Sequence, residues 1–118
     1  MRYMLLIYLD EQSLGEAERQ ECYVESAQLA QEIHARGQFL AAAPLHPTAT
    51  ATSIRVRDGK RLVTDGPFAE TREQLGGYFL VDAKNLDEAM GIAVRIPMAR
   101  KGTVEIRPVI EVGGLPTV

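Results

Sequence analysis

Two short runs in the chain are apolar on both faces. Arg2 to Tyr8 (RYMLLIY) puts Tyr3, Leu5 and Ile7 on one side of an extended strand and Met4, Leu6 and Tyr8 on the other. Tyr78 to Ala83 (YFLVDA) repeats the pattern after Gly76-Gly77. Such runs predict central strands covered on both sides, and these two are natural neighbours. Between and beyond them the apolar spacing changes to three and four residues. Ser13-Leu14-Gly15-Glu16 reads as a capping box opening a helix that runs to about Arg36, with Tyr23, Ala27, Ala30 and Ile33 as its buried stripe and Gly37 as its stop. Asn85-Leu86-Asp87-Glu88 reads as a second capping box. It predicts a helix with Leu86, Ala89, Met90, Ala93 and Ile96 inward, ending near Pro97. Gln38 to Ala43 is a short strand, Thr48 to Thr52 an extended approach to the next one, and Thr103 to Val112 a last strand with Val104 and Ile106 inward.

Asp58-Gly59 lies between Ser53–Arg57 and Lys60–Thr64 and predicts a β-hairpin with a two-residue turn. In that register Ile54 faces Val63 and Val56 faces Arg61, while Arg55, Arg57, Lys60 and Leu62 take the other side. A hairpin so mixed belongs at a sheet edge or projects from it. It ends at Asp65, where Gly66 permits positive φ and Pro67 fixes its own.

The predicted order is β-α-β, hairpin, β-α-β. This is an α+β, ferredoxin-like split β-α-β fold with an inserted β-hairpin, two helices covering one face of an antiparallel sheet. The other face stays apolar. An apolar face of that size is rarely left in water, so a second copy is expected to cover it, giving a two-fold homodimer with a cavity between sheets. A single domain is expected over residues 1–112, with a loose tail at 113–118.

The chain has 118 residues, 46% hydrophobic and 25% charged, a composition ordinary for a soluble domain large enough to build a core without disulfides. Its single cysteine, Cys22, fits a cytoplasmic location. No segment reads as a signal peptide or membrane span. A net charge of -3 gives nucleic acid no global attraction, so neither direct nucleic-acid binding nor membrane insertion is expected.

Asp65 is the leading candidate for chemistry. Desolvated in a dimer cavity, its carboxylate is a general acid or base for a phenol or carbon acid; as architecture, it caps its own turn. His46, between Pro44 and Pro47, is a second proton-exchanging candidate if its loop folds over the cavity, and otherwise a surface histidine. Tyr8, Tyr78 and Ser26 offer hydroxyls to a ligand, and Pro67 and Phe68 flank Asp65 as further ligand contacts. Arg55, Arg57, Lys60 and Arg61 form a basic patch, for an acidic partner or as protection of an edge. Two histidines and one cysteine without clustering predict no metal site, and no cofactor motif is present.

The run Val63-Thr-Asp-Gly-Pro-Phe-Ala-Glu-Thr-Arg-Glu-Gln-Leu-Gly-Gly-Tyr-Phe-Leu80 resembles the signature of the DGPF-domain family, a bacterial branch of the YCII-related proteins. Ala49–Thr52, the Arg55–Gly59 hairpin and Val104–Pro108 match as well, so the resemblance reaches from the start to about Val112. It implies a ferredoxin-like dimeric α+β barrel. For function it implies little more than uncharacterised relatives, some linked to extracytoplasmic-function sigma factors, and one branch acting as a dehydrochlorinase on chlorinated hydroxyquinols. The wider group has a proposed His-Asp pair, and its histidine falls at Ser26 here; His46 is the candidate to replace it. Two readings follow. One is a proton-transfer enzyme of the isomerase or lyase kind on a small aromatic or enol-like molecule. The other is a non-catalytic ligand-binding or regulatory module linked to sigma-factor-dependent transcription.

Overall fold

The computed structural model describes residues 1–116. Six strands and two helices follow in the order β1 (Arg2–Leu9), α1 (Glu16–Ala35), β2 (Phe39–Pro44), β3 (Thr52–Arg57), β4 (Lys60–Asp65), β5 (Gln74–Asp82), α2 (Leu86–Ala93) and β6 (Thr103–Pro108). Four strands form one antiparallel sheet in the order β2-β5-β1-β6, and β3 and β4 pair only with each other. The two doubly apolar runs, β1 and β5, are the paired central strands. Each β-α-β unit leaves room for one strand between its own two, which is the split arrangement of an α+β, ferredoxin-like sheet.

The core lies between this sheet and the helices. Tyr3 and Leu5 of β1 and Phe79 and Val81 of β5 meet Leu29 and Ile33 of α1 and Ala89, Ile92, Ala93 and Ile96 of the second helical region. Val104 and Ile106 of β6 pack against this cluster, as their spacing predicts.

Several local expectations need correction. The buried stripe of α1 is Leu29 and Ile33 with half-buried Cys22 and Ser26, whereas Ala27 is exposed and Tyr23 is 40% exposed. The alanines fit either register; burying branched Leu29 removes more apolar surface from water and decides the rotation. Ser13 does not cap α1. Its hydroxyl donates to the Asp10 carbonyl (2.7 Å) in a short 3-10 turn, and Gly15 precedes the helix without a side-chain cap. Asn85 does cap α2, accepting from the Glu88 amide at 3.0 Å. On α2, Ala89, Ile92 and Ala93 face the sheet, and Leu86 and Met90 join Val94 in an exposed ridge. Small alanines let the helix approach closely, which turns the larger side chains out. Thr48–Thr50 is a 3-10 turn rather than extended chain. β5 starts at Gln74 and takes Gly76-Gly77 into the strand at a bulge opposite Ile7 and Tyr8, and β6 ends at Pro108 rather than Val112. Gly102 is required where β6 begins, because a Cβ there would meet the Tyr8 carbonyl oxygen at 2.0 Å.

The hairpin follows the predicted register, Ile54 opposite Val63 and Val56 opposite Arg61. Asp58 (φ 51°) and Gly59 (φ 74°) both take the positive φ that a tight, strand-matching turn needs. Every residue of β4 and all of β3 except Ser53 are exposed, so the hairpin projects from the body. The Cα radius of gyration, 16.0 Å, exceeds the ~13.5 Å of a compact chain of this length. Of the tail expected over 113–118, residues 117 and 118 lie outside the described residues.

Candidate functional site

Side chains alternate across a strand, so the sheet face away from the helices is set by the residues between those of the core. Directly opposed residues share a face. One row across the four strands is Ala41, Leu80, Met4 and Arg107; the next is Ala43, Tyr78, Leu6 and Glu105. Beyond the bulge, Leu75, Tyr8 and Thr103 continue it. The centre of this open face is apolar, and its polar groups gather along β6. Met4, Leu6, Tyr8, Tyr78 and Leu80 are half-buried, and no helix or strand among the described residues lies over them.

One polar constellation stands on that floor. The Tyr8 hydroxyl donates to Glu105 Oε1 (3.1 Å), and Arg107 Nη1 lies 4.0 Å from Glu105 Oε2. Burial of the phenol, followed by its hydrogen bond to Glu105 and that residue's negative charge, pushes Tyr8 above the usual tyrosine range. The phenol therefore stays protonated and oriented as a donor. Nearby, Thr103 Oγ1 donates to Glu73 Oε1 (2.8 Å). Sequence reasoning placed Val104 and Ile106 of the last strand inward and gave Glu105 and Arg107 no role. The period-two pattern does place them on the face of Tyr8, but the pairing of β6 with β1 is what sets Glu105 within reach.

The other expected residues scatter. Tyr78 shares the open face with Tyr8, whereas Ser26 lies half-buried on α1, behind the sheet. Asp65 is exposed at the end of β4, opposite Thr52. It does not cap its turn. The Gly66 amide donates instead to the Ala51 carbonyl (2.7 Å), the Ser53 hydroxyl donates to the Gly66 carbonyl (2.8 Å), and Gly66 takes φ 103°. Among the described residues the Asp65 carboxylate has no hydrogen-bond partner. Pro67 is half-buried, and Phe68 is 82% exposed.

His46 is exposed in a loop held firmly on both sides. Leu45 N donates to the Gly76 carbonyl (2.8 Å). Glu11 accepts from the Thr48 amide (2.9 Å) and hydroxyl (2.5 Å), and its own amide donates to Gln74 Oε1 (3.1 Å). Glu11 thus anchors the root of the hairpin to the end of β1. No periodic or motif signal in the sequence marks it, because its partner is 37 residues away.

Two grooves of about 310 and 250 Å³ run between the helices. The larger is lined by Glu25, Leu29, Glu32, Val94, Arg95 and Arg100, where Arg100 pairs with Glu25. Neither touches Tyr8, Tyr78, His46 or Asp65. Among the described residues no helix is long and apolar enough to cross a membrane.

The family model of the YCII-related domain matches residues 1–113. An uncharacterized protein of Rhizobium meliloti (strain 1021) is 37% identical over 113 residues, which make up 92% of this chain and 91% of that protein.

Proposed function

We propose that this chain, which belongs to the YCII-related family, is a homodimer that closes its open sheet face with a second copy and exchanges a proton with a small aromatic or enol-like molecule held between the sheets. The observation that carries this reading is the Tyr8–Glu105 hydrogen bond standing on an otherwise apolar floor. Leu6, Leu80 and Tyr78 suit the flat face of such a ligand, and the phenol–carboxylate pair suits its ionisable oxygen or carbon acid. Covering the face excludes water from Glu105, whose carboxylate is the group placed to take the proton, with Arg107 beside it. Once Glu105 has taken the proton, the single O–H of Tyr8 turns from that carboxyl to the oxygen on which charge develops.

Small phenols and enolisable carbon acids, incubated with the protein in D2O, test the reading through binding calorimetry and through NMR loss of the exchanging C–H signal. Saturable binding is expected, weakened at least about tenfold by Tyr8→Phe, the loss of one hydrogen bond to a charged group. Exchange should fall by about 10² to 10⁴ in Glu105→Gln, the range of one acid–base group. Binding indifferent to both variants defeats the proposal.

A non-catalytic binding module is the second reading, and one observation favours it: Asp65 and His46 are exposed and Ser26 lies behind the sheet, so none of the three joins Tyr8 within one chain. Binding without exchange decides for it.

A further inference from the structure

The β3–β4 hairpin is unfinished as a piece of one chain. A two-stranded ribbon is marginal in water without a layer to pack on. Yet Ile54, Val56 and Val63, which share one face of it, are 56 to 60% exposed. Asp65 and Thr52 form the next rung on that same face, so whatever covers the three apolar side chains also covers Asp65.

Charge and area both point to a second copy. From Thr52 to Asp65 the chain has four bases against two acids; the remainder has nine bases against fourteen acids. The arm therefore carries the opposite net charge to the body of another copy, which favours that contact and orients it. The open sheet face, four strands about 4.8 Å apart and about six residues long at 3.3 Å each, projects on the order of 400 Å². A standard interface takes roughly 800 Å² from each partner. A hairpin lent to the partner, and another received from it, supply much of the difference.

We propose that the β3–β4 hairpin is an arm exchanged between two copies, its Ile54–Val56–Val63 face packed on the partner, and that it carries Asp65 to the rim of the partner's Tyr8–Glu105 cavity. This rests on the dimer proposed above and completes its site with a carboxylate that has no hydrogen-bond partner among the described residues of its own chain.

Limited trypsin digestion tests the arm directly, because Arg55, Arg57, Lys60 and Arg61 are cleavage sites on it. Sedimentation identifies the concentrations at which the protein is monomer and dimer. In the dimer, cleavage at these four positions is expected to slow at least tenfold, and Ile54→Asp with Val63→Asp is expected to restore it. Both substitutions are on exposed positions, and circular dichroism checks that the body stays folded. A dimer whose hairpin is cut at the monomer rate overturns the arm and leaves the sheet-face dimer standing; a protein monomeric at every concentration overturns both. Protection that requires added DNA or anionic vesicles rather than more protein assigns the arm to another occupant and also overturns the proposal. Asp65→Asn and Glu105→Gln proteins, mixed so that subunits exchange, should recover C–H exchange from about a quarter of the sites, those pairing one chain's Glu105 with the other's Asp65. No recovery places Asp65 outside the partner's site and overturns that part.

Discussion

The two faces of the four-stranded sheet come from the same strands and nearly the same side chains, but they differ in what lies on them. Tyr3, Leu5, Phe79 and Val81 point under α1 and α2 and are buried; Met4, Leu6, Tyr78 and Leu80, one residue along, remain half-exposed. Composition does not separate them. The crossovers do: β1-α1-β2 and β5-α2-β6 turn with the same hand, so both helices land on one side. Apolar character alone therefore does not make a core, and a second apolar face on a small sheet is a surface for something else. The polar groups follow the same division. No buried polar or charged residue is found among the described residues of the core, while the open face carries a phenol, a carboxylate and a guanidinium at its β6 edge.

The sharpest way to break this comparison is to shorten the same residue type on each face. Leu5→Ala leaves a cavity in a close-packed core and is expected to cost about 2–5 kcal/mol of folding stability, read from urea denaturation. Leu6→Ala, next to it but on the open face, is expected to cost roughly 1 kcal/mol or less in the monomer, because solvent already reaches it. Its larger effect should appear in the dissociation constant of the proposed dimer. Equal losses from both substitutions would mean that the faces are equivalent in one chain.

A smaller effect sharpens the electrostatic half. The Tyr8 phenol is raised by burial and by Glu105, so its protonated form is preferred in the folded protein. The resulting stability is fully present below the ordinary tyrosine range near 10 and is lost as pH rises through the raised value. Glu105→Gln should bring the tyrosinate transition, followed at 295 nm against Tyr8→Phe, part of the way back down. Burial, the first cause, stays in place.

The smallest effect belongs to the helical side. The Arg100 hydrogen bond holds the Glu25 carboxyl below its ordinary range, so this pair stabilises the fold above that range and stops doing so as pH falls through the lowered value. Both groups are on the surface. Arg100→Gln should therefore flatten the acid limb of the stability curve only slightly, detectable as a small shift in the denaturation midpoint.

Much of this architecture could be read from the chain. Runs apolar on both faces marked β1 and β5 as central. Asp58-Gly59 specified the hairpin and its register, since a two-residue turn needing positive φ at both positions leaves few alternatives. Asn85 announced α2. These features are local, and the chemistry of a few adjacent residues decides them. The failures fall where two local solutions compete. Ser13 could cap a helix or close a 3-10 turn, and Tyr23 and Ala27 could face either way until Leu29 was packed.

The candidate site was less legible, because a site is a meeting of distant residues. The alternation of β1 and β5 determined which residues of each strand share a face, and the Gly66-Pro67 pair determined a sharp turn after Asp65. Only the tertiary structure decided that Glu105, 97 residues along the chain, would accept Tyr8's hydrogen bond, that Ser26 would lie behind the sheet, and that Glu11 would tie down the loop bearing His46. The physical reason is the range of the forces. Turn chemistry and strand alternation act within a few residues, whereas strand pairing and the handedness of crossovers bring together groups whose proximity no local preference encodes.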